Sequence, residues 1–244
     1  MTITSKSNPI VKHIRGLKEK KFRREFGEFI VEGEKMVRES LSSSFERVIT
    51  IVSENYRGET YSLDTETVSE DVFATLSDEK TPQGILSVLK IPKRDLLPCN
   101  EKCLLLDGIA DPGNMGAIIR TANAAGYQKI YLAGCTDPYA PKSVRSSMSG
   151  IFFVELYFGT REEILDIVKL PLLAADMSGV NVFDYRAPKA FMLAIGNEAN
   201  GLSDFVRNSA DQIVSIPMAH TQESLNAAIS AGILMYTLQY NERR

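Results

Sequence analysis

Residues 103–126, CLLLDGIADPGNMGAIIRTANAAG, constrain the fold more than any other stretch of this chain. An apolar run without alternation, Cys103 to Leu106, breaks into Asp-Pro-Gly-Asn, and apolar residues then recur at helical spacing. That order reads as a buried strand, a loop and a helix in one unit. Asn114 is the natural cap of the helix and Gly126 its natural stop. Met115, Ile118, Ile119, Ala122 and Ala125 form the stripe expected to be buried, which leaves Gly113, Gly116, Arg120 and Asn123 on the other side. A face so rich in glycine admits another backbone or a flat ligand beside one guanidinium. The same local pattern also suits an ordinary βα turn with a solvated arginine.

From Cys103 onward the alternation repeats. Strands are predicted at 103–106, 129–133, 152–157, 171–175, 190–195 and 212–216, and helices at 115–125, 141–148, 161–169, 203–209 and 223–240. Runs such as Phe191 to Ile195 are apolar without alternation, as in strands covered on both faces of a parallel sheet. The expectation is a doubly wound α/β domain whose ligands gather beyond the carboxyl ends of the strands. Upstream, a helix over 9–21, strands near 29–31, 48–52 and 85–91, and helices at 33–41 and 70–76 make a smaller α/β layer. Residues 93–102 hold charges and proline with no periodicity and read as a linker between domains at 1–92 and 103–244.

No apolar run approaches signal-peptide or transmembrane length, so a cytoplasmic protein with no membrane partner is expected. Three cysteines without a CxxC spacing, and only two histidines, support neither a disulfide framework nor a metal site. The net charge of −3 hides an asymmetry. Lys6, Lys12, Arg15, Lys18, Lys20, Lys21, Arg23 and Arg24 face the single acid Glu19. A basic segment in an acidic chain is the footprint expected of phosphate contacts with a nucleic acid, although a solvated helix face has the same composition.

Two further strand exits stand out. Gly196-Asn-Glu-Ala-Asn-Gly201 follows a buried strand; Gly196 would let a ligand meet the main chain, Glu198 supplies a carboxylate, and Ser203 can cap the next helix. It matches neither a Walker loop nor GxGxxG. Ile216-Pro-Met-Ala-His-Thr-Gln-Glu-Ser-Leu-Asn226 leads into the last helix, with Thr221 or Ser224 as its cap and Glu223 near the positive end of its dipole. That helix carries Leu225, Ile229, Gly232, Ile233, Tyr236 and Tyr240 on one stripe, and Ala227, Ala228, Ala231, Leu234 and Leu238 elsewhere. Being apolar nearly all round, it must lie between elements or between subunits.

In order and separation these loops resemble the three signature motifs of the SpoU (TrmH-like) branch of the SPOUT RNA 2′-O-ribose methyltransferases. Asn114-x-Gly116-x-x-x-Arg120 matches the first, Gly196-x-Glu198-x-x-Gly201 the second, and Ile216-Pro-Met218 with Ser224-Leu-Asn226 the third. Asn8-Pro-x-Val-Lys and Phe29-x-Val-Glu-Gly33 resemble the family's N-terminal substrate-binding domain. The resemblance implies a small α/β RNA-binding domain, then a SPOUT α/β domain with a C-terminal trefoil knot. It also implies S-adenosylmethionine as cofactor, held at Gly196, Ile216, Met218 and Leu225, and a homodimer with sites at the interface. The reaction implied is methyl transfer to a ribose 2′-hydroxyl of RNA, with ribosomal RNA favoured over transfer RNA. Arg120 would act at the hydroxyl, Asn114 and Asn226 would orient Arg120 or the ribose, Ser224 would bond the sugar, and Glu198 would hold Arg120 or Asn114. Lys12, Arg15, Lys18, Lys20, Lys21, Arg23 and Arg24 would bind RNA. The chain departs from the family at His220, where glycine is common. That departure motivates one rival, an idle RNA-binding protein of the same fold; the other is a nucleotide-using metabolic enzyme.

Overall fold

The computed structural model describes residues 2–61, 64–219 and 224–242, with no side chain described at 242. The chain divides into two units, Met1–Lys93 with Asp137–Phe152, and Arg94–Thr136 with Phe153–Arg244. Two expectations change here. Residues 137–152, read as part of the C-terminal domain, belong to the first unit, and 94–102, read as linker, belong to the second.

In the first unit, β1 (Glu28–Glu32), β2 (Arg47–Ser53), β3 (Thr65–Val68) and β4 (Ile85–Lys90) form a sheet in the order β1-β4-β2-β3. β4 runs antiparallel to both neighbours, and β3 joins β2 in parallel. β3 was not foreseen, because only Val68 of its four residues is buried and no apolar alternation marks it. Val11, Ile14 and Leu17 pack with Val72, Phe73 and Leu76 of α4 (Glu70–Leu76) over Ile51, Leu86 and Val88.

The helix predicted over 9–21 is two helices, α1 (Pro9–Gly16) and α2 (Lys20–Phe26). Arg23 spans the break. Its guanidinium is buried, donates to the carbonyls of Leu17 and Lys18 at 2.8 Å, and pairs with Asp137 at 2.8 Å. Between the two helices Glu19 takes extended backbone, φ −96° and ψ 137°, and Arg23 ties the carbonyls just before it. Arg23, expected among the RNA contacts, is therefore structural. Lys18 is also engaged, donating to the Ser77 carbonyl at 2.6 Å and pairing with Asp78 at 3.0 Å. Lys12, Arg15, Lys20, Lys21 and Arg24 remain exposed. Around α3 (Glu34–Ser40) and α6 (Pro141–Ser147), Tyr139 and Phe152 bring rings to Phe29 and Phe45. Phe152, predicted to open a strand, sits in a 3₁₀ turn.

The second unit is built on six parallel strands: β5 (Cys103–Asp107), β6 (Lys129–Ala133), β7 (Glu155–Phe158), β8 (Leu172–Asn181), β9 (Met192–Gly196) and β10 (Gln212–Ser215), in the order β10-β8-β9-β5-β6-β7. The central β5 and β9 are the strands read as apolar without alternation, and burial on both faces is the reason. α7 (Arg161–Val168) opens on a capping box of Thr160 and Glu163, and Ser203 caps α8 (Asp204–Asn208) as expected. The supposed linker packs here: Cys99 is buried, and the Leu97 carbonyl accepts the Tyr131 hydroxyl at 3.0 Å. Register between β8 and β10 slips after Ile213, where β10 skips from Ala174 to Val180. A Cβ on Gly179 would lie 2.6 Å from the Ile213 backbone, so this crossing needs glycine. Among the described residues no helix is long and apolar enough to cross a membrane.

α9 (Ala227–Glu242) packs on α5 (Pro112–Ala124) and β9. It buries Ala227, Ala231, Leu234 and Leu238, and leaves Ile229, Tyr236 and Tyr240 exposed at 56%, 51% and 58%. The stripe singled out in the sequence is thus the outer one. A helix apolar all round does not say which face turns inward.

Candidate active site

β5 ends on Asp107, a buried carboxylate that accepts from Arg161 Nε at 2.6 Å and from the Ser203 main-chain N–H and hydroxyl at 2.8 and 2.7 Å. One side chain thereby joins the exits of β5 and β9 to the start of α7. Asp107, Arg161 and Asn197 were not singled out from the sequence. For Asp107 a signal existed, a charge closing an apolar strand, because such a group is buried only with partners.

The cap of α5 is Asp111, not Asn114: Asp111 Oδ1 accepts from the Asn114 N–H at 2.9 Å, and Pro112 takes the first turn. Gly116, expected on the open face, is buried, while the stripe from Met115 to Ala125 is buried as expected. Relieved of capping, the Asn114 side chain donates Nδ2–H to Glu198 Oε1 at 2.9 Å, and its Oδ1 accepts from Asn226 Nδ2 at 2.9 Å. Asn226 Oδ1 accepts from the N–H groups of Ala228 and Ile229 at 2.9 and 3.2 Å, so Asn226 caps α9. That replaces the caps expected at Thr221 or Ser224. A continuous relay, Glu198–Asn114–Asn226, ties the second, first and third loops together.

The second loop is a closed turn. Asn197 and Gly201 exchange main-chain hydrogen bonds at 2.8 and 3.0 Å, and Asn197 Nδ2 donates to the Gly108 carbonyl at 2.7 Å. A Cβ on Gly196 would stand 2.3 Å from the carbonyl carbon of Gly201 and the nitrogen of Leu202. Gly196 is therefore required by the chain's own return at Gly201.

Burial pushes the Glu198 carboxyl up, but hydrogen bonds from Asn114, from its own N–H and from those of Ala110 and Asp111 outweigh it and hold it below its ordinary 4.5. A depressed carboxylate contributes stability above its unfolded value that is lost as pH falls through the folded one. Glu198→Gln is expected to be less stable than the parent above about pH 4.5, by no more than ~1 kcal/mol for an exposed group, with the gap closing in acid. Urea unfolding across that range checks this; a gap independent of pH would refute it.

Beside the relay lies a cleft of about 440 Å³, within the ~300–1,000 Å³ typical of small-ligand sites. Gly196, Glu198, Ile216, Met218, Ser224 and Leu225 all line it, and the bulge of β8 adds Asp176 and Met177. Its walls are main chain and aliphatic side chains with few charges, a donor set suited to a nucleoside-sized organic cofactor. Arg120 is not among the lining residues; it is exposed on α5 and makes no hydrogen bond or ion pair among the described residues. Among those residues no cluster of His, Cys, Asp or Glu could hold a metal ion. His220, Thr221 and Glu223 lie outside the described residues.

The family model described as SpoU rRNA Methylase family matches residues 101–236, and that of the MRM3-like substrate binding domain matches residues 8–87. A 23S rRNA (guanosine(2553)-2′-O)-methyltransferase of Bacillus subtilis is 32% identical over 97% of this chain and 98% of its own length. A 23S rRNA (uridine(2479)-2′-O)-methyltransferase of Streptomyces viridochromogenes is 36% identical over 69% of this chain and 64% of its own. Among solved structures, an AdoMet-bound rRNA methyltransferase from Sinorhizobium meliloti has a TM-score of 0.88 at 29% identity, covering 98% of this chain and 97% of that one.

Proposed function

Since this chain belongs to the SpoU rRNA methylase family, we propose that it methylates a ribose 2′-hydroxyl of ribosomal RNA, in the cytoplasm and as a homodimer, using S-adenosylmethionine. The observation that carries this reading is the relay Glu198–Asn114–Asn226 bordering a cleft made by the second and third loops. When bound, S-adenosylmethionine supplies an electrophilic methyl group on a leaving thioether that needs no acid. Gly196, Ile216, Met218 and Leu225 would hold it.

The remaining task falls to the protein: to align a weakly nucleophilic hydroxyl and let its proton leave. Asn114 is locked between Glu198 and Asn226, so it presents one fixed amide to the sugar. Ser224 lines the cleft where the ribose would enter. A guanidinium keeps its proton above pH ~12, so Arg120 does not act as a base. Its role is to clamp a phosphate and stabilise negative charge growing on the ribose oxygen, while phosphate or water takes the proton. Two features support the dimer: Arg120 lies outside the cleft lining, so a second copy can complete the site, and α9 exposes Ile229, Tyr236 and Tyr240 for it to cover. The same family membership carries the expectation of a trefoil knot at the C-terminal end of this unit. An intact relay supports catalysis over an idle RNA-binding protein of the same fold.

Incubation with radiolabelled S-adenosylmethionine and ribosomal RNA, followed by digestion to nucleosides, should yield label on a 2′-O-methyl nucleoside. Label on a base, or none, would overturn the reading. The exposed Lys12, Arg15, Lys20, Lys21 and Arg24 would meet RNA phosphates. Affinity is then expected to fall roughly a hundredfold for a fourfold rise in salt, and to weaken for every RNA alike in a Lys20→Glu, Lys21→Glu variant. A salt-independent binding constant would remove these contacts.

A further inference from the structure

We infer that Phe26 is a stacking site for an unpaired nucleobase of the RNA, a claim that rests on the RNA reading above and specifies which part of the RNA this surface takes. Phe26 closes α2 and is 41% exposed. Single exposed apolar side chains are ordinary, and exposure alone assigns nothing. What distinguishes this ring is that its neighbours hold it still and the two helices around it carry mostly basic exposed side chains.

Phe22, one turn earlier, lies nearly parallel to it, with centroids 6.2 Å apart and 10° between the planes. His13 meets it edge-on at 4.6 Å and 67°. Both neighbours are themselves fixed. A Cβ on Gly16 would stand 3.4 Å from the Phe22 ring, so α1 closes on Phe22 without a side chain between them. His13 Nε2 sits 2.6 Å from Glu28 Oε2, and the other oxygen of that buried carboxylate takes Lys90 at 2.6 Å. The ring plane is set before any ligand arrives, which lowers the ordering cost of stacking.

Charge selects the occupant. The exposed charged residues of this segment are Lys12, Arg15, Lys20, Lys21 and Arg24 against Glu19 and Glu25, and the Lys21 ammonium lies 5.7 Å from the Phe22 centroid. A flat aromatic ligand carried on a polyanion fits that combination, and a nucleotide is such a ligand. Paired bases already have both faces stacked, so only loop, bulge or end nucleotides can use Phe26. The segment lies within residues 8–87, the part matched by a substrate binding domain.

The test uses the full chain and two RNAs of equal length, a hairpin with an unpaired loop and a fully paired duplex. Phe26→Ala is expected to weaken hairpin binding about tenfold and leave duplex binding and the salt slope unchanged. The chain has no tryptophan, so Phe26→Trp adds one indole that can be excited apart from the tyrosines. That variant should keep hairpin affinity and be quenched by the hairpin but not the duplex. Unchanged hairpin affinity in Phe26→Ala, or no quenching in Phe26→Trp, would overturn the proposal. So would altered sedimentation with unaltered RNA affinity, which would assign the ring to a contact between protein copies. A parent protein that binds neither RNA would instead remove the RNA reading itself, and this inference with it.

Discussion

Replacing Arg120 with alanine is expected to abolish methyl transfer to RNA while leaving the affinity for S-adenosylmethionine nearly unchanged. The side chain is exposed, makes no hydrogen bond or ion pair among the described residues, and lies outside the cleft lining, so its removal should disturb neither the fold nor the cleft. Its loss should appear in the chemical step. Deleting one preorganised donor to a developing oxyanion costs about 10²–10³ in rate, and a phosphate clamp lost with it would add to that. Arg120→Lys should recover little, because an ammonium cannot reproduce the planar fork. Single-turnover kinetics with calorimetric titration of the cofactor separates the two effects. Near-normal turnover in Arg120→Ala would return this residue to an ordinary solvated position on α5.

Gly196→Ala should do the opposite, failing at the level of structure. The added methyl would stand 2.3 Å from the main chain of Gly201 and Leu202, so the turn must open. Overpacking costs ~1–3 kcal/mol, and the upper end is expected where backbone is struck and no flexible side chain can yield. Because residues 196–201 line the cleft, cofactor affinity should fall with stability. Gly126→Ala is the matched control. Gly126 has φ +73° with nothing within 4 Å of an added Cβ, so only backbone strain remains, about 1 kcal/mol. Denaturant unfolding and cofactor titration of both variants give the comparison. Equal losses would mean that the return of the chain at Gly201 is not what demands glycine at position 196.

The elements most legible in the sequence are those whose local pattern states their burial. β6 and α4 have the predicted bounds, and β5 and β9 were found because apolar runs without alternation have one common explanation, burial on both faces. The three loops of the site were legible as strand exits dense in glycine and polar groups. Illegible were choices among equivalent partners. Asn114 and Asp111 are both good caps, and the structure uses Asp111, which leaves Asn114 for Glu198 and Asn226. Arg23 looked like its basic neighbours until Asp137, distant in sequence, supplied a partner for its buried guanidinium. α9 was apolar on every side, so its inward face depended on what α5 and β9 offered.

Sequence by itself determined the parallel α/β layering of the second unit, the positions of its strand exits and the basic character of the first helices. Each follows from periodicity or charge within a few neighbouring residues. Only the tertiary structure decided that residues 137–152 belong with the first unit, that Arg23 is buried, and that one asparagine links three loops. Those outcomes depend on pairings between residues far apart along the chain. A buried polar group costs free energy until a particular partner satisfies it, and local sequence does not specify which partner that will be.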